Sequence, residues 1–299
     1  MTAIDLIGVP FDGYGRAGNQ ARASTVLREA GFAAAFAGHD VVDAGDLALP
    51  PGDAARAPGS GLMNERALIE QTRALREAVA RSIRTGRLPV VYGGDCTSLL
   101  GSIGGLRDAL GDAALVFADG HEDTMPLDVV EDGEAANTEI ALLIGLTGHF
   151  APEVLRQRPL EPEALAMVGQ RDAHWRLRFN VGSLRDRGVW LRDAGETAAD
   201  PAAVGRQAVA HVTTRAEGWW LHIDLDVLDP LEFAAQGLPG DDGQPGGLSW
   251  PQLTRFALAA VEKGGCRGLS LAIYDPDQDP QLFDAARIVA LAGGIAAKL

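Results

Sequence analysis

Short runs rich in apolar and β-branched residues alternate with longer helical stretches along the whole of this 299-residue chain. Such alternation predicts parallel strands joined by crossover helices. We therefore expect one α/β domain over residues 1–299, a three-layer αβα arrangement with a mostly parallel eight-stranded sheet. Expected strands cover residues 4–9, 40–43, 88–92, 114–118, 164–168, 188–191, 219–224 and 268–273, and helical stretches cover 25–35, 64–84, 98–110, 201–215, 251–263 and 280–297. Pro251 and Pro280 suit a first helical turn, with Ser249 and Asp279 as caps beside them.

Composition narrows the function classes. A chain that is 46% hydrophobic and 22% charged can bury a large core. Its net charge of −15 opposes binding to nucleic acid or to an anionic membrane, since both demand a basic surface. The start, Met1 to Pro10, lacks the basic and apolar regions of a signal peptide, and no stretch of eighteen apolar residues suggests a membrane span. Cys96 and Cys266 make no disulfide framework and fit a reducing cytoplasm.

Chemistry collects where strands are expected to end. Gly93-Gly94-Asp95-Cys96-Thr97 follows the third strand, Asp119-Gly120-His121-Glu122-Asp123 the fourth, and Asp224 to Pro230 the seventh. Open α/β sheets bind ligands at that edge. Asp119, Asp123, Asp224 and Asp226 with His121 would each cost several kcal/mol to bury unpaired, so a cation should sit among them. Hard oxygen donors with an imidazole suit a divalent metal such as manganese, and the donors suffice for two ions.

These segments together resemble the ureohydrolase family of arginases, agmatinases and formiminoglutamases. The family carries Gly-Gly-Asp-His-Ser, Asp-Ala-His-x-Asp and Ser-x-Asp-x-Asp-x-x-Asp-Pro elements, matched here at Gly93–Thr97, Asp119–Asp123 and His222–Pro230. Ile7 to Phe11, Leu27 to Gly31, Asp43 to Asp46, Val168 to Asp172 and Gly246 to Ser249 add flanking matches. The resemblance implies an arginase-like fold and hydrolysis of a linear amidine or guanidine C–N bond by a hydroxide bridging two manganese ions. One ion would be held by Cys96, Asp119, Asp123 and Asp224, the other by Asp119, His121, Asp224 and Asp226. Asp123 would accept the hydrogen bond of the attacking hydroxide. A small-molecule substrate and a trimer or hexamer are also implied.

Four positions depart from the family pattern. Cys96 replaces a histidine ligand, and its softer sulfur would weaken manganese binding and favour another transition metal, unless it is merely a buried filler. Together with Gly120 and His222, Cys96 is similar to the ureohydrolase of cycloserine biosynthesis, whose substrate is an N-hydroxylated arginine. Ile273 stands where a glutamate normally pairs the guanidinium, with Asp275 as a candidate substitute. Asn137 stands at the proton-shuttling histidine; it holds substrate or water but transfers no proton, which leaves Glu139 or His149 to do so. His174 stands near the position where arginase-like enzymes carry an acidic residue that meets the substrate's amino group, which implies a different or less cationic tail, or simply a surface position.

Glu122 should face away from the site, and Trp219-Trp220 should pack in the core. His222 shares the face of Asp224 and is expected to hydrogen-bond a ligand carboxylate rather than bind metal. The sequence thus favours a metal-dependent amidinohydrolase with an atypical, N-hydroxylated or non-guanidine substrate. Its alternative is a catalytically lapsed homologue serving as a binding or assembly subunit.

Overall fold

The computed structural model describes residues 1–129, 132–147, 159–236 and 246–299. Its strands are β1 (Ala3–Gly8), β2 (Asp40–Asp46), β3 (Leu88–Tyr92), β4 (Ala114–Ala118), β5 (Leu165–Val168), β6 (Trp190–Arg192), β7 (Trp219–Asp224) and β8 (Cys266–Ala272). They form a single sheet in the order β2-β1-β3-β8-β7-β4-β5-β6. Every neighbouring pair is parallel.

Among the described residues the helices are α1 (Ala23–Glu29), α2 (Glu65–Arg84), α3 (Ser98–Leu110), α4 (Glu139–Leu143), α5 (Ala173–Arg178), α6 (Ala194–Ala199), α7 (Pro201–Val212), α8 (Trp250–Val261) and α9 (Phe283–Ala296). α2 packs on α3, which rests against β7 and β8, while α7, α8 and α9 form a second group against β4, β5 and one another. Covered on both faces, β3, β4 and β7 are buried at every residue; β3 and β4 read as unbroken apolar runs, and β7 breaks its run only at His222 and Asp224. The edge strand β2 instead exposes Asp40 and Asp43, charges that discourage pairing with another chain.

Trp219 and Trp220 are both fully buried, and Trp220 fixes the spacing of β7 from β8. A Cβ on Gly268 would come within 1.9 Å of Trp220 Cζ3, so only glycine lets the indole lie across that strand.

Three elements differ from expectation. The stretch 25–35 is two pieces, because Gly31 turns left-handed (φ 91°) after α1 and a separate 3-10 turn spans Phe32–Phe36. The last helix starts at Phe283 rather than at Pro280: Asp279 reaches past the proline, accepting from the backbone N–H of Phe283 and of Ala285, each at 2.9 Å. β6 begins at Trp190 because Leu184–Arg187 forms a 3-10 turn closed by Gly188 at φ 85°.

Candidate metal centre

The site lies at the carboxyl ends of β3, β4 and β7. Ala118 pairs with Ile223, so Asp119, one residue past β4, stands beside Asp224 at the end of β7. Local hydrogen bonds then fold both acidic segments over the sheet edge. His121 N–H donates to Asp119 Oδ1 (2.6 Å), Asp226 N–H to Asp224 Oδ1 (2.9 Å), and Gly120 N–H to Asp226 Oδ1 (2.9 Å). Asp123 adopts φ 46°, a left-handed turn that aspartate tolerates.

Three overlapping sets of donor atoms result, each confined within 4.8 Å: Asp119, His121 and Asp123; Cys96, Asp123 and Glu139; and Asp119, His222 and Asp224. His121 Nδ1 also lies 2.8 Å from Asp226 Oδ2. All six residues expected to hold metal, Cys96, Asp119, His121, Asp123, Asp224 and Asp226, therefore meet in one place. Glu139 and His222 join them.

Electrostatics argues that this cluster is built around a cation. Burial, reinforced by neighbouring carboxylates, pushes the acids of Asp119, Asp123, Glu139 and Asp224 well above their usual range. Burial opposes the imidazolium of His121, yet Asp226 and Asp119 outweigh it and raise its pKa. Burial would likewise raise Asp226, but His121 holds it below the ordinary value. Among the described residues, Asp119 Oδ2, both oxygens of Glu139 and His222 Nε2 have no hydrogen-bond partner. Buried polar atoms are normally satisfied, so divalent ions fit this donor set.

Cys96 is buried, and its Sγ faces the carbonyl oxygen of Ala136 at 3.3 Å. Burial, then the charges of Glu139 and Asp123, push its thiol pKa up, which opposes thiolate formation unless a metal sits beside it.

The other predicted residues are not among these donor sets. Asn137 is partly exposed and its Nδ2 donates weakly to Asp132 (3.3 Å). His174 is exposed on α5. Ile273 is only 6% exposed, with its N–H on the carbonyl of Gly94 (3.0 Å) and a left-handed φ of 59° that a β-branched residue rarely adopts. Asp275 is fully buried and spends its oxygens on Asn19, Gln278 and the Asp277 N–H, which makes it a turn former rather than a spare anion. His149 lies outside the described residues.

Glu122 points away from the cluster, as expected, and accepts from Ser183 Oγ (2.7 Å), Leu184 N–H (2.7 Å) and Arg176 Nη2 (2.8 Å). His222 departs from expectation. Its Nδ1 meets Ser270 Oγ at 2.7 Å, while Nε2 hydrogen-bonds no carboxylate. Sequence reading offered Glu139 only as a proton carrier; its place among the donors depends on the loop before α4, which no local pattern encodes.

A profile described as "Arginase family" matches residues 2–295. The chain belongs to the arginase family. It is 26% identical to the arginase of Staphylococcus aureus strain COL over 97% of this chain and 96% of that one. Its fold is similar to that of Bacillus caldovelox arginase (TM-score 0.88, 23% identity, 99% and 98% of the chains). It is also similar to the fold of proclavaminate amidino hydrolase from Streptomyces clavuligerus (TM-score 0.72, 20% identity, 100% and 92%). Among the described residues no helix is long and apolar enough to cross a membrane.

Proposed function

We propose that this arginase-family chain is a metal-dependent hydrolase of a linear amidine or guanidine C–N bond in a small molecule, carried by one domain over residues 1–299. The single observation behind the reading is the set of buried, unpartnered donors converging at the carboxyl edge of the central strands. Asp119 and Asp224 would be shared by two ions, with Asp123 and a further donor near Cys96 on one side and His121 and Asp226 on the other. When bound, divalent ions supply Lewis acidity that makes water a nucleophile near neutral pH. The hard carboxylates favour manganese, and the sulfur of Cys96 leaves room for another transition metal. A cytoplasmic trimer or hexamer is the assembly we expect.

Asp123 would accept a hydrogen bond from the attacking hydroxide and so orient it. Asn137, held loosely by Asp132, orients substrate or water and carries no proton. At the end of β8, Ile273 presents no charge and Asp275 has no oxygen to spare, so this wall supports a substrate less cationic than a free guanidinium. An N-hydroxylated guanidine or a neutral amide-like C–N bond meets that requirement. The exposed His174 would meet the distal end of such a substrate.

The test is reconstitution of the purified chain with manganese, cobalt or zinc, followed by release of urea, hydroxyurea or ammonia from arginine, agmatine, N-hydroxyarginine and neutral amides. Hydrolysis of an N-hydroxylated or neutral member ahead of agmatine supports the proposal. Metal bound without turnover of any compound favours the lapsed homologue, and no metal bound under any condition removes the hydrolase reading.

A further inference from the structure

We propose that Glu139 is a metal ligand of this centre and takes the place of the imidazole that Cys96 lacks, leaving Cys96 as a neutral thiol beside the ion. The inference rests on the metallohydrolase reading above and specifies how its first ion is held.

Glu139 opens α4, is fully buried, and stands in one donor set with Cys96 Sγ and an Asp123 oxygen, all within 4.8 Å. Among the described residues neither Glu139 oxygen has a hydrogen-bond partner that satisfies it, and the Asp123 carboxylate it meets is an acceptor like itself. Two carboxylates meeting in the interior with no hydrogen-bond donor are destabilising unless they share a proton or a cation. Asp119 and Asp224 also act on Glu139 electrostatically, so it faces the middle of the cluster rather than its rim. An ordinary core glutamate here looks different: Glu122, equally buried, satisfies its oxygens with Ser183, Leu184 and Arg176.

Cys96 shows the complementary behaviour. Its Sγ is already engaged with the Ala136 carbonyl as a hydrogen-bond donor, which requires the thiol proton. Asp123 and Glu139 share its space, with donor atoms within 4.8 Å of Sγ, so two hard oxygen donors already stand there. A hard oxygen from Glu139 also suits manganese better than sulfur does. The chain thus exchanges a nitrogen donor on the β3 loop for an oxygen donor on α4, and the first site becomes an oxygen-rich one.

The experiment compares wild type with Glu139→Gln, Glu139→Asp and Cys96→Ser, each stripped of metal and titrated with manganese. Calorimetry and elemental analysis report affinity and stoichiometry, and cobalt loading reports sulfur ligation by its charge-transfer absorption. We expect two ions in wild type and in Cys96→Ser, no sulfur-to-cobalt band in either, and a loss of about 100-fold or more in affinity for one ion in Glu139→Gln. Glu139→Asp, which keeps the carboxylate, recovers part of that affinity and shows that the loss is not misfolding. Two tightly bound ions in Glu139→Gln, or a sulfur-to-cobalt band in wild type that Cys96→Ser abolishes, overturn the assignment while leaving the hydrolase reading intact. A wild type that takes up no ion overturns both.

Discussion

The Nδ1 of His222 lies 2.7 Å from the Oγ of Ser270, its register partner on the neighbouring strand, directly beneath the acidic cluster. The same hydroxyl accepts from Trp220 Nε1 at 2.8 Å. Burial pushes the imidazole pKa down to about 3, so the ring is neutral and one nitrogen carries a lone pair. Ser270 therefore ties the floor of the site to the packing of β7 on β8. Ser270→Ala removes the common partner of the Trp220 Nε1–H and of His222 Nδ1 in the interior and should cost about 1–3 kcal/mol. Urea unfolding of the metal-free protein measures it; a loss below about 0.5 kcal/mol would show that the hydroxyl is dispensable.

Arg176 is a second buried anchor, at 2.8 Å from Glu122 and 2.9 Å from Asp172. With its side chain 9% exposed, it is the cation that lets the segment after Asp119 carry an inward glutamate. Arg176→Met leaves two carboxylates facing each other and should destabilise the protein by about 3–5 kcal/mol. Adding Glu122→Gln should return a measurable part of the loss, because the two changes act on one network. Strict additivity in chemical denaturation would argue against that coupling.

Glu134 gives the fold a pH dependence. Burial, then Asp95 and Asp132, raise its carboxyl to about 8. The folded chain keeps this proton after the unfolded chain, whose glutamate titrates near 4.5, has released it. The contribution of Glu134 is therefore intact below about pH 4.5 and declines as pH rises through about 8. Glu134→Gln removes the decline, so the variant should match wild type near pH 4.5 and exceed it by on the order of 1–3 kcal/mol above pH 8. Denaturation midpoints across that range check the sign. Equal slopes for both proteins would mean that Glu134 is not the group responsible.

Sequence and structure agree where burial is total and part where a cap or a loop decides. β3, β4 and β7 fall at the expected residues because strands buried on both faces are apolar almost throughout, with His222 and Asp224 of β7 the exceptions at the site. The clustered donors were legible for a related reason: a carboxylate at the end of such a run has no solvent to turn to. Helix ends were less legible, since Asp279 caps across Pro280, and α4, α5 and α6 are too short for a helical period to register. Glu139 and the free Nε2 of His222 became visible only once tertiary contacts showed what each lacks. A glutamate in a polar segment, or a histidine on an apolar strand, carries no sign of its partners.

Ile273 tests the substrate reading. It lies one residue past β8 in a left-handed conformation and, on the proposed reading, would be an apolar wall where an anion would otherwise pair a guanidinium. Ile273→Glu supplies that anion, and the metal-loaded variant should gain at least about tenfold in kcat/KM for agmatine, a change of about 1.4 kcal/mol in transition-state binding. Activity on an N-hydroxylated or neutral substrate should fall in parallel. Unchanged selectivity would mean that the substrate does not reach this strand end.

Asp224 separates a metal ligand from a structural carboxylate by two effects of opposite sign. Burial, with Asp226 and Asp119 close by, raises its acid, so in the metal-free protein it opposes folding at neutral pH. Asp224→Asn keeps the shape, still offers an oxygen to the Asp226 N–H, and should raise the melting temperature of the stripped protein. Metal binds only the folded chain and stabilises it by about 2.7 kcal/mol per site at a hundredfold excess over Kd. Two filled sites should then lift the wild-type Tm by on the order of 10 °C. The variant, lacking the shared carboxylate, should lose most of that rise. Differential scanning fluorimetry with chelator and with manganese supplies all four values. A variant less stable without metal, yet stabilised by manganese as strongly as wild type, would place Asp224 in the scaffold and outside the centre.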